Sequence, residues 1–285
     1  MLHEILLFLA ARGHQVQVAV SGSYDGPSFE GIPVVATADS LKADIVVTHL
    51  DQTRTAVRYA NGRPVIHLVH NHRQLAFHEV DDAALVVANS GWIHNEVVAG
   101  HRWARGKTIV VYPPVPPDRY RVETSREWVV LVNCYVEKGP RLFAQLARLM
   151  PYRRFLAVKG CYGTQERMPT LPNLTVWEHQ RDIRRVYERA GVVVMPSSYE
   201  SWGRVAVEAA CSGIPLVVAS TPGLVEAVGE AAQIVPTTNL EGWAKAIESA
   251  FTDPEWGERA YRRAAELWAE TNRQLAVLEA RLLAL

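Results

Sequence analysis

Cysteine is scarce in this chain: Cys134, Cys161 and Cys211 are the three among 285 residues. They are far apart, odd in number and form no C-x-x-C pair, which argues against a disulfide framework or a zinc knuckle and fits a reducing, cytoplasmic setting. Net charge is missing too, with 30 Lys and Arg against 30 Asp and Glu. A nucleic-acid binder working through a global positive field is thereby excluded. No apolar run reaches the roughly 18 residues of a membrane span. The opening MLHEILLFLAARGH lacks a basic start and contains His3 and Glu4, so it does not read as a signal peptide. Internal repeats and low-complexity tracts are absent. A Walker A loop is missing despite the string GHRWARGKT, because five residues separate Gly100 from Gly106 and Lys107 leads into a strand.

What is present is an ordinary globular composition, 48% hydrophobic and 21% charged, enough to bury a core in two domains. Apolar runs such as IPVVATA, ADIVVTHL, PVIHLVHN and ALVVANS read as strands, and DQTRTAVRYA and the stretch from Trp92 to Ala99 as helices. Strands alternating with helices imply an α/β fold with parallel sheets. The cluster YPPVPPDRY and the polar RVETSRE mark a boundary near residues 113 to 127. A second series follows, from WVVLVNCYVEKGP through the helix RLFAQLARLM, FLAVKGCYG and LTVWEHQ to the helix DIRRVYERAG. Arg181, Arg184, Arg185 and Arg189 there read as a solvated helix face, with peripheral contact to acidic lipid the lesser option.

The most informative stretch is Val192 to Ser220, VVVMPSSYESWGRVAVEAACSGIPLVVAS. It reads as buried strand, polar loop, short helix and second buried strand, with Ser201 the expected N-cap and Gly213 the C-terminal stop. Ligands of such a parallel sheet bind beyond the strand carboxyl ends. Glu200 in the loop and Glu208 in the helix flank first-turn amides at Gly203, Arg204 and Val205, which form an anion site. Carboxylates beside a phosphate cradle suit a ligand carrying both hydroxyls and phosphates, which describes a nucleotide sugar. Solvated helix-start acids are the plainer reading of the same two glutamates.

ESWGRVAVEAACSGIPLVV resembles the E-x7-E region of the retaining glycosyltransferases of family 4, commonly EGFGLVVLEAMACGTPVV. The resemblance extends over nearly the whole chain: LAARGHQVQVAV is similar to that family's first helix and second strand, and its first strand and Gly-rich loop have no counterpart here. It implies the GT-B architecture, two Rossmann-like domains with parallel sheets facing across a cleft. Expected boundaries are an acceptor-side domain at 1–120, a nucleotide-sugar-binding domain at 128–271, and a helix at 272–285 crossing back. VNCYVEKGP resembles the family's VGRLVPEKG, whose Arg and Lys bind the donor diphosphate. Lys138 keeps its place, while Asn133 stands for the Gly and Cys134 for the Arg. Arg204, apolar in the family motif, is a candidate replacement cation.

The resemblance implies a retaining hexosyl transfer from a nucleotide-diphosphate sugar to a hydroxyl on a saccharide, lipid-linked or small-molecule acceptor, without metal or other cofactor. Lys138, Glu200 and His70 take catalytic roles. Asn133, Ser201, Trp202, Gly203, Arg204, Val205 and Glu208 bind the donor, joined by Glu178 and His179 at the turn that meets the base. Among the histidines of HLVHNHRQLAFH, His70 matches the family's cleft histidine. A metal site at His67, His70, His72 and His78 is disfavoured, since no Asp or Cys ligand is near in sequence. A nucleotide-sugar-binding protein without transferase activity, and a GT-B epimerase, are the alternatives.

Overall fold

The computed structural model describes residues 1–20, 26–35, 43–49, 52–71 and 83–285. The chain divides into two compact units, one of Met1–Pro114 with Glu270–Leu285, the other of Val115–Ala269. In the first, helix α1 (Leu2–Ala11) precedes strands β1 (Val18–Ala19), β2 (Ser28–Phe29), β3 (Ile32–Val35) and β4 (Val46–His49). Helix α2 (Thr53–Ala60), β5 (Val65–Val69), β6 (Leu85–Ala88), α3 (Gly91–Gly100) and β7 (Thr108–Val110) follow. The strands form a three-stranded sheet β1-β3-β2 and a four-stranded sheet β4-β5-β6-β7. All pairs of the latter are parallel.

Period-two alternation sends neighbouring residues of β5 to opposite faces. Ile66 and Leu68 pack with Ile5 and Leu9 of α1 and with Leu275 and Leu278, whereas Val69 joins Val86, Ala88, Ile93 and Val97 on the other side. Local signals set the helix limits. The Ser90 hydroxyl accepts from Ile93 N–H at 3.1 Å to cap α3, and Asn61, at φ 49°, ends α2 in the left-handed region. Arg12 and His14 both reach Glu279, the His14 ring nitrogen at 2.9 Å, which fastens the end of α1 to the C-terminal segment.

In the second unit α4 (Pro117–Tyr120) is followed by β8 (Trp128–Val132), α5 (Pro140–Leu149), β9 (Arg154–Val158) and β10 (Leu174–Trp177). Next come α6 (Arg184–Tyr187), β11 (Ala190–Met195), α7 (Arg204–Ala210), β12 (Leu216–Val218), α8 (Pro222–Val228), β13 (Gln233–Ile234) and α9 (Leu240–Thr252). Helix α10 (Glu255–Leu283) closes the chain as one element of 29 residues, rather than a separate helix starting at Asn272. Among the described residues, no helix is long and apolar enough to cross a membrane.

The six strands run β10-β9-β8-β11-β12-β13, every pair parallel. Connections leave β8 toward β9 on one side and β11 toward β12 on the other. The order therefore reverses between β8 and β11, and their carboxyl ends frame the crevice where doubly wound sheets bind ligands. All six residues of β11 are buried, the condition that demands a continuous apolar run. Each such Val or Met side chain contributes roughly 1.5–3 kcal/mol of transfer energy, opposed by the entropy of ordering.

One expected element is shortened. DIRRVYERAG contains a helix only over Arg184–Tyr187, because Ala190 and Gly191 already belong to β11. The register with β8 passes from Ala190↔Trp128 to Val192↔Val129, leaving Gly191 as the extra residue of a bulge. A Cβ at Gly191 would lie 2.3 Å from Phe251 Cε1 and 2.6 Å from the Arg126 carbonyl oxygen. Gly191→Ala is accordingly expected to destabilise the protein by about 1–3 kcal/mol, the usual effect of overpacking. Phe251→Leu in that background is expected to recover part of the loss, read as the midpoint of urea unfolding.

Candidate functional site

The crevice between β8 and β11 is built by the loops that follow those strands. A short 3-10 turn at Val136–Lys138 ends at Gly139, φ 78°, a conformation that favours glycine. A Cβ there would lie 2.3 Å from the Pro196 carbonyl oxygen, so the loop bearing Lys138 rests directly on the loop bearing Glu200. Ser198 N–H donates to the Glu137 carbonyl at 2.9 Å and ties the two together. Lys138 Nζ lies 2.6 Å from Glu200 Oε1, with side-chain exposures of 20% and 11%. Ser197 Oγ donates to the same carboxylate oxygen at 3.1 Å. A shielded ammonium thus sits beside a shielded carboxylate at the ligand edge of the sheet.

Glu208 lies on α7 and is buried. Its Oε2 accepts from Tyr187 Oη at 2.8 Å, and its Oε1 accepts from Arg204 Nε at 2.7 Å. Arg204 Nη2 donates in turn to Tyr120 Oη at 2.6 Å. Burial, then the Glu208 carboxylate, pushes the Tyr187 phenol well above its usual pKa, so it stays a proton donor. Burial draws the Arg204 pKa down, but Glu208 and Tyr120 outweigh that and the net shift is upward.

The start of α7 corrects one expectation. Gly203, not Ser201, occupies the N-cap, at φ 102° and without a side-chain cap. A Cβ on Gly203 would meet Leu224 Cδ2 at 2.6 Å. Packing against α8 therefore fixes a left-handed residue where a serine cap would have extended the helix. The helix runs only from Arg204 to Ala210, with Val205 in its first turn. Trp202 is 2% exposed, and Ser201 lies beside it in the loop.

Asn133 takes φ 76°, tolerable for Asn because its short side chain bonds the backbone. Its Oδ1 accepts from Tyr135 N–H at 3.0 Å. Cys134 is fully buried, and burial pushes its thiol up to about 11, so no charge stands at that position. Gln165 Oε1 accepts from both Cys134 N–H at 2.9 Å and Gly160 N–H at 2.8 Å, clipping together the loops after β8 and β9. At the end of β10, Glu178 pairs with Lys159 at 2.7 Å, and His179 is exposed. Both stand two strands away from β8 along the same edge.

His70 belongs to the first unit and follows β5. Its ring meets His49 edge-on at 5.4 Å between centroids, and its carbonyl accepts from Asn89 Nδ2 at 3.2 Å. His67 is fully buried within β5, and His72 and His78 lie outside the described residues. Among the described residues, no group of three or more His, Cys, Asp or Glu is placed to hold a metal ion. Sequence reasoning missed Ser197, Gln165, Tyr187 and Tyr120. None carries a local signal, since Tyr120 and Arg204 are 84 positions apart.

Burial above all, with smaller electrostatic contributions from the neighbouring His49, the N-terminal amine and His67, lowers the His70 pKa from 6.5 to about 4. At this position the unfolded chain therefore binds a proton between pH 6.5 and 4 that the folded chain refuses, so the contribution of His70 to stability is lost as pH falls through that window and is constant above it. His70→Gln is expected to flatten this acid-side loss, measured as the unfolding midpoint at pH 7.5 and pH 5.

Residues 170–267 match the family described as Glycosyl transferases group 1. A D-inositol 3-phosphate glycosyltransferase from Mycobacteroides abscessus is 28% identical over 247 residues, 76% of this chain and 53% of that protein. One from Mycobacterium sp. strain KMS is 30% identical over 224 residues, 67% of this chain and 49% of that protein. The chain spans about half the length of these curated relatives. Among solved structures, a sucrose-phosphate synthase from Thermosynechococcus elongatus superposes with TM-score 0.78 at 18% identity, covering 99% of this chain and 92% of that one. Anabaena HepE in complex with UDP-glucose gives 0.69 at 18% identity, covering 83% and 78%. Residues 170–267 are thus similar to the group 1 glycosyltransferases, and the chain has the α/β fold with parallel sheets seen in GT-B structures.

Proposed function

We propose that the chain is a glycosyltransferase that moves a hexose from a nucleotide-diphosphate sugar to an acceptor hydroxyl with retention of configuration and without metal. The observation that carries this reading is the Lys138–Glu200 contact of 2.6 Å at the point where the strand order reverses. A diphosphate draws the Lys138 ammonium to its oxygens, and Glu200, held by Ser197, turns to the sugar hydroxyls or their phosphate. As the glycosidic bond to the diphosphate breaks, negative charge grows on the leaving oxygen and Lys138 stabilises it, the usual source of electrostatic catalysis. The acceptor hydroxyl attacks the same face of the oxocarbenium-like sugar and passes its proton to the departing diphosphate oxygen. Glu208 receives the ribose hydroxyls, and the edge formed by Glu178 and His179 meets the base. In the first unit, His70 is assigned to the sugar on the resemblance alone.

The relatives named above act on D-inositol 3-phosphate, which makes a polyol phosphate the first acceptor to test. The reading as a nucleotide-sugar-binding protein without turnover draws on Cys134, a buried neutral thiol where the family motif has a cation. Titration calorimetry with UDP- and GDP-sugars, run beside a turnover assay, separates the two. Binding without turnover across acceptors favours the binding protein. For a transferase, Lys138→Ala and Glu200→Gln are each expected to lower kcat by about 10²–10³, EDTA to leave it unchanged, and NMR to show a product anomer matching the donor. An inverted anomer would overturn the retaining assignment.

A further inference from the structure

Arg204 stands at the first position of α7, where the helix dipole disfavours a cation. Its order with Glu208, basic residue first at i,i+4, is also the weaker arrangement for helix stability. Helix formation therefore gives no reason for an arginine here. The side-chain contacts do. Two of its guanidinium nitrogens are engaged, Nε on Glu208 at 2.7 Å and Nη2 on Tyr120 at 2.6 Å.

The carboxylate it holds is the more buried partner, 9% exposed against 38% for Arg204. A shielded carboxylate is costly without a cation. Tyr187 Oη holds its other oxygen at 2.8 Å, so Glu208 is gripped on both sides, and each oxygen keeps a further lone pair for a ligand hydroxyl. Tyr120 is anchored independently: Ser212 Oγ accepts from Val122 N–H at 3.0 Å and donates to the Tyr120 carbonyl at 3.3 Å. The Arg204 guanidinium also lies 6.0 Å from the centre of the Tyr120 ring.

We infer that Arg204 is a positioning residue, which Tyr120 orients so that it holds Glu208 ready for the ribose hydroxyls of a nucleotide, and that it does not bind the diphosphate. This rests on the nucleotide-sugar reading above and replaces the role of substitute phosphate cation expected for Arg204. A residue acting through Glu208 affects every nucleotide that has a ribose. A phosphate ligand affects those with more phosphate most.

The test is calorimetric titration of the wild type, Arg204→Leu, Arg204→Lys, Tyr120→Phe, Glu208→Gln and the double variant Arg204→Leu/Glu208→Gln. The probes are UDP and UMP, with GDP and GMP used if the wild type prefers guanine. Loss of a charged hydrogen bond sets the scale: Arg204→Leu is expected to weaken the diphosphate and the monophosphate alike by about tenfold. Arg204→Lys is expected to return to within about threefold, and Tyr120→Phe to weaken both probes by about threefold. The double variant is expected to bind no more weakly than Glu208→Gln alone, the non-additivity of residues acting as a unit. In turnover, the loss is expected in KM for the donor with kcat preserved.

Wild-type binding retained in Arg204→Leu, a loss confined to the diphosphate, or full additivity with Glu208→Gln would each overturn the inference and leave the nucleotide-sugar reading standing. A wild type that binds none of the four nucleotides overturns both. Should Arg204→Leu fail to fold by circular dichroism, Tyr120→Phe and Arg204→Lys carry the same comparison.

Discussion

The pairing of β8 with β11 is the constraint on which the second unit depends. The connections that follow these two parallel strands run to opposite sides of the sheet, so the loops behind them cannot close over each other as they would between strands joined by one crossover. Lys138 and Glu200 sit on those two loops and meet at 2.6 Å. The contact needs the Val136–Gly139 turn to lie on Pro196, and that closeness exists only because residue 139 has no side chain. Sheet order, one glycine and one ion pair are thus a single arrangement.

The sheet strands were legible because burial on both faces forces the same sequence answer at each position. VVVM before Pro196 and LVV after Pro215 had few alternatives once a parallel sheet was assumed. The helix over DIRRVYERAG stops short of its sequence pattern, because Gly191 serves a bulge against Phe251, a partner far along the chain. Ser201 is not the cap for a related reason. Local cap preference favours serine, but the approach of Leu224 fixes Gly203 in the left-handed region.

The candidate site was legible in its chemistry and not in its wiring. Glu200, Glu208 and Lys138 stand out as charged residues beside apolar strands. What each one touches does not stand out, because Ser197, Tyr187 and Tyr120 carry no motif. Tyr187 in particular belongs to a segment that sequence alone presents as an arginine-rich solvated face, yet its ring is fully buried and its hydroxyl meets Glu208. The tertiary fold, not the local pattern, turns that tyrosine inward.

The three cations named along this edge are each matched to a carboxylate: Lys138 to Glu200, Arg204 to Glu208 and Lys159 to Glu178. Matched charges cancel at distances beyond a few ångströms, so these pairs project little attraction into solvent. On the nucleotide-sugar reading proposed above, an anion approaching this edge is not drawn in from afar; it is selected on contact, by whether it offers hydroxyls to Glu200 at the moment it takes Lys138, while Arg204 keeps Glu208. Free phosphate can compete for Lys138 but cannot compensate the Glu200 carboxylate left behind. On that reading, the resting Lys138–Glu200 pair works as a filter that discriminates by exchange of partners, at the cost of a slower encounter.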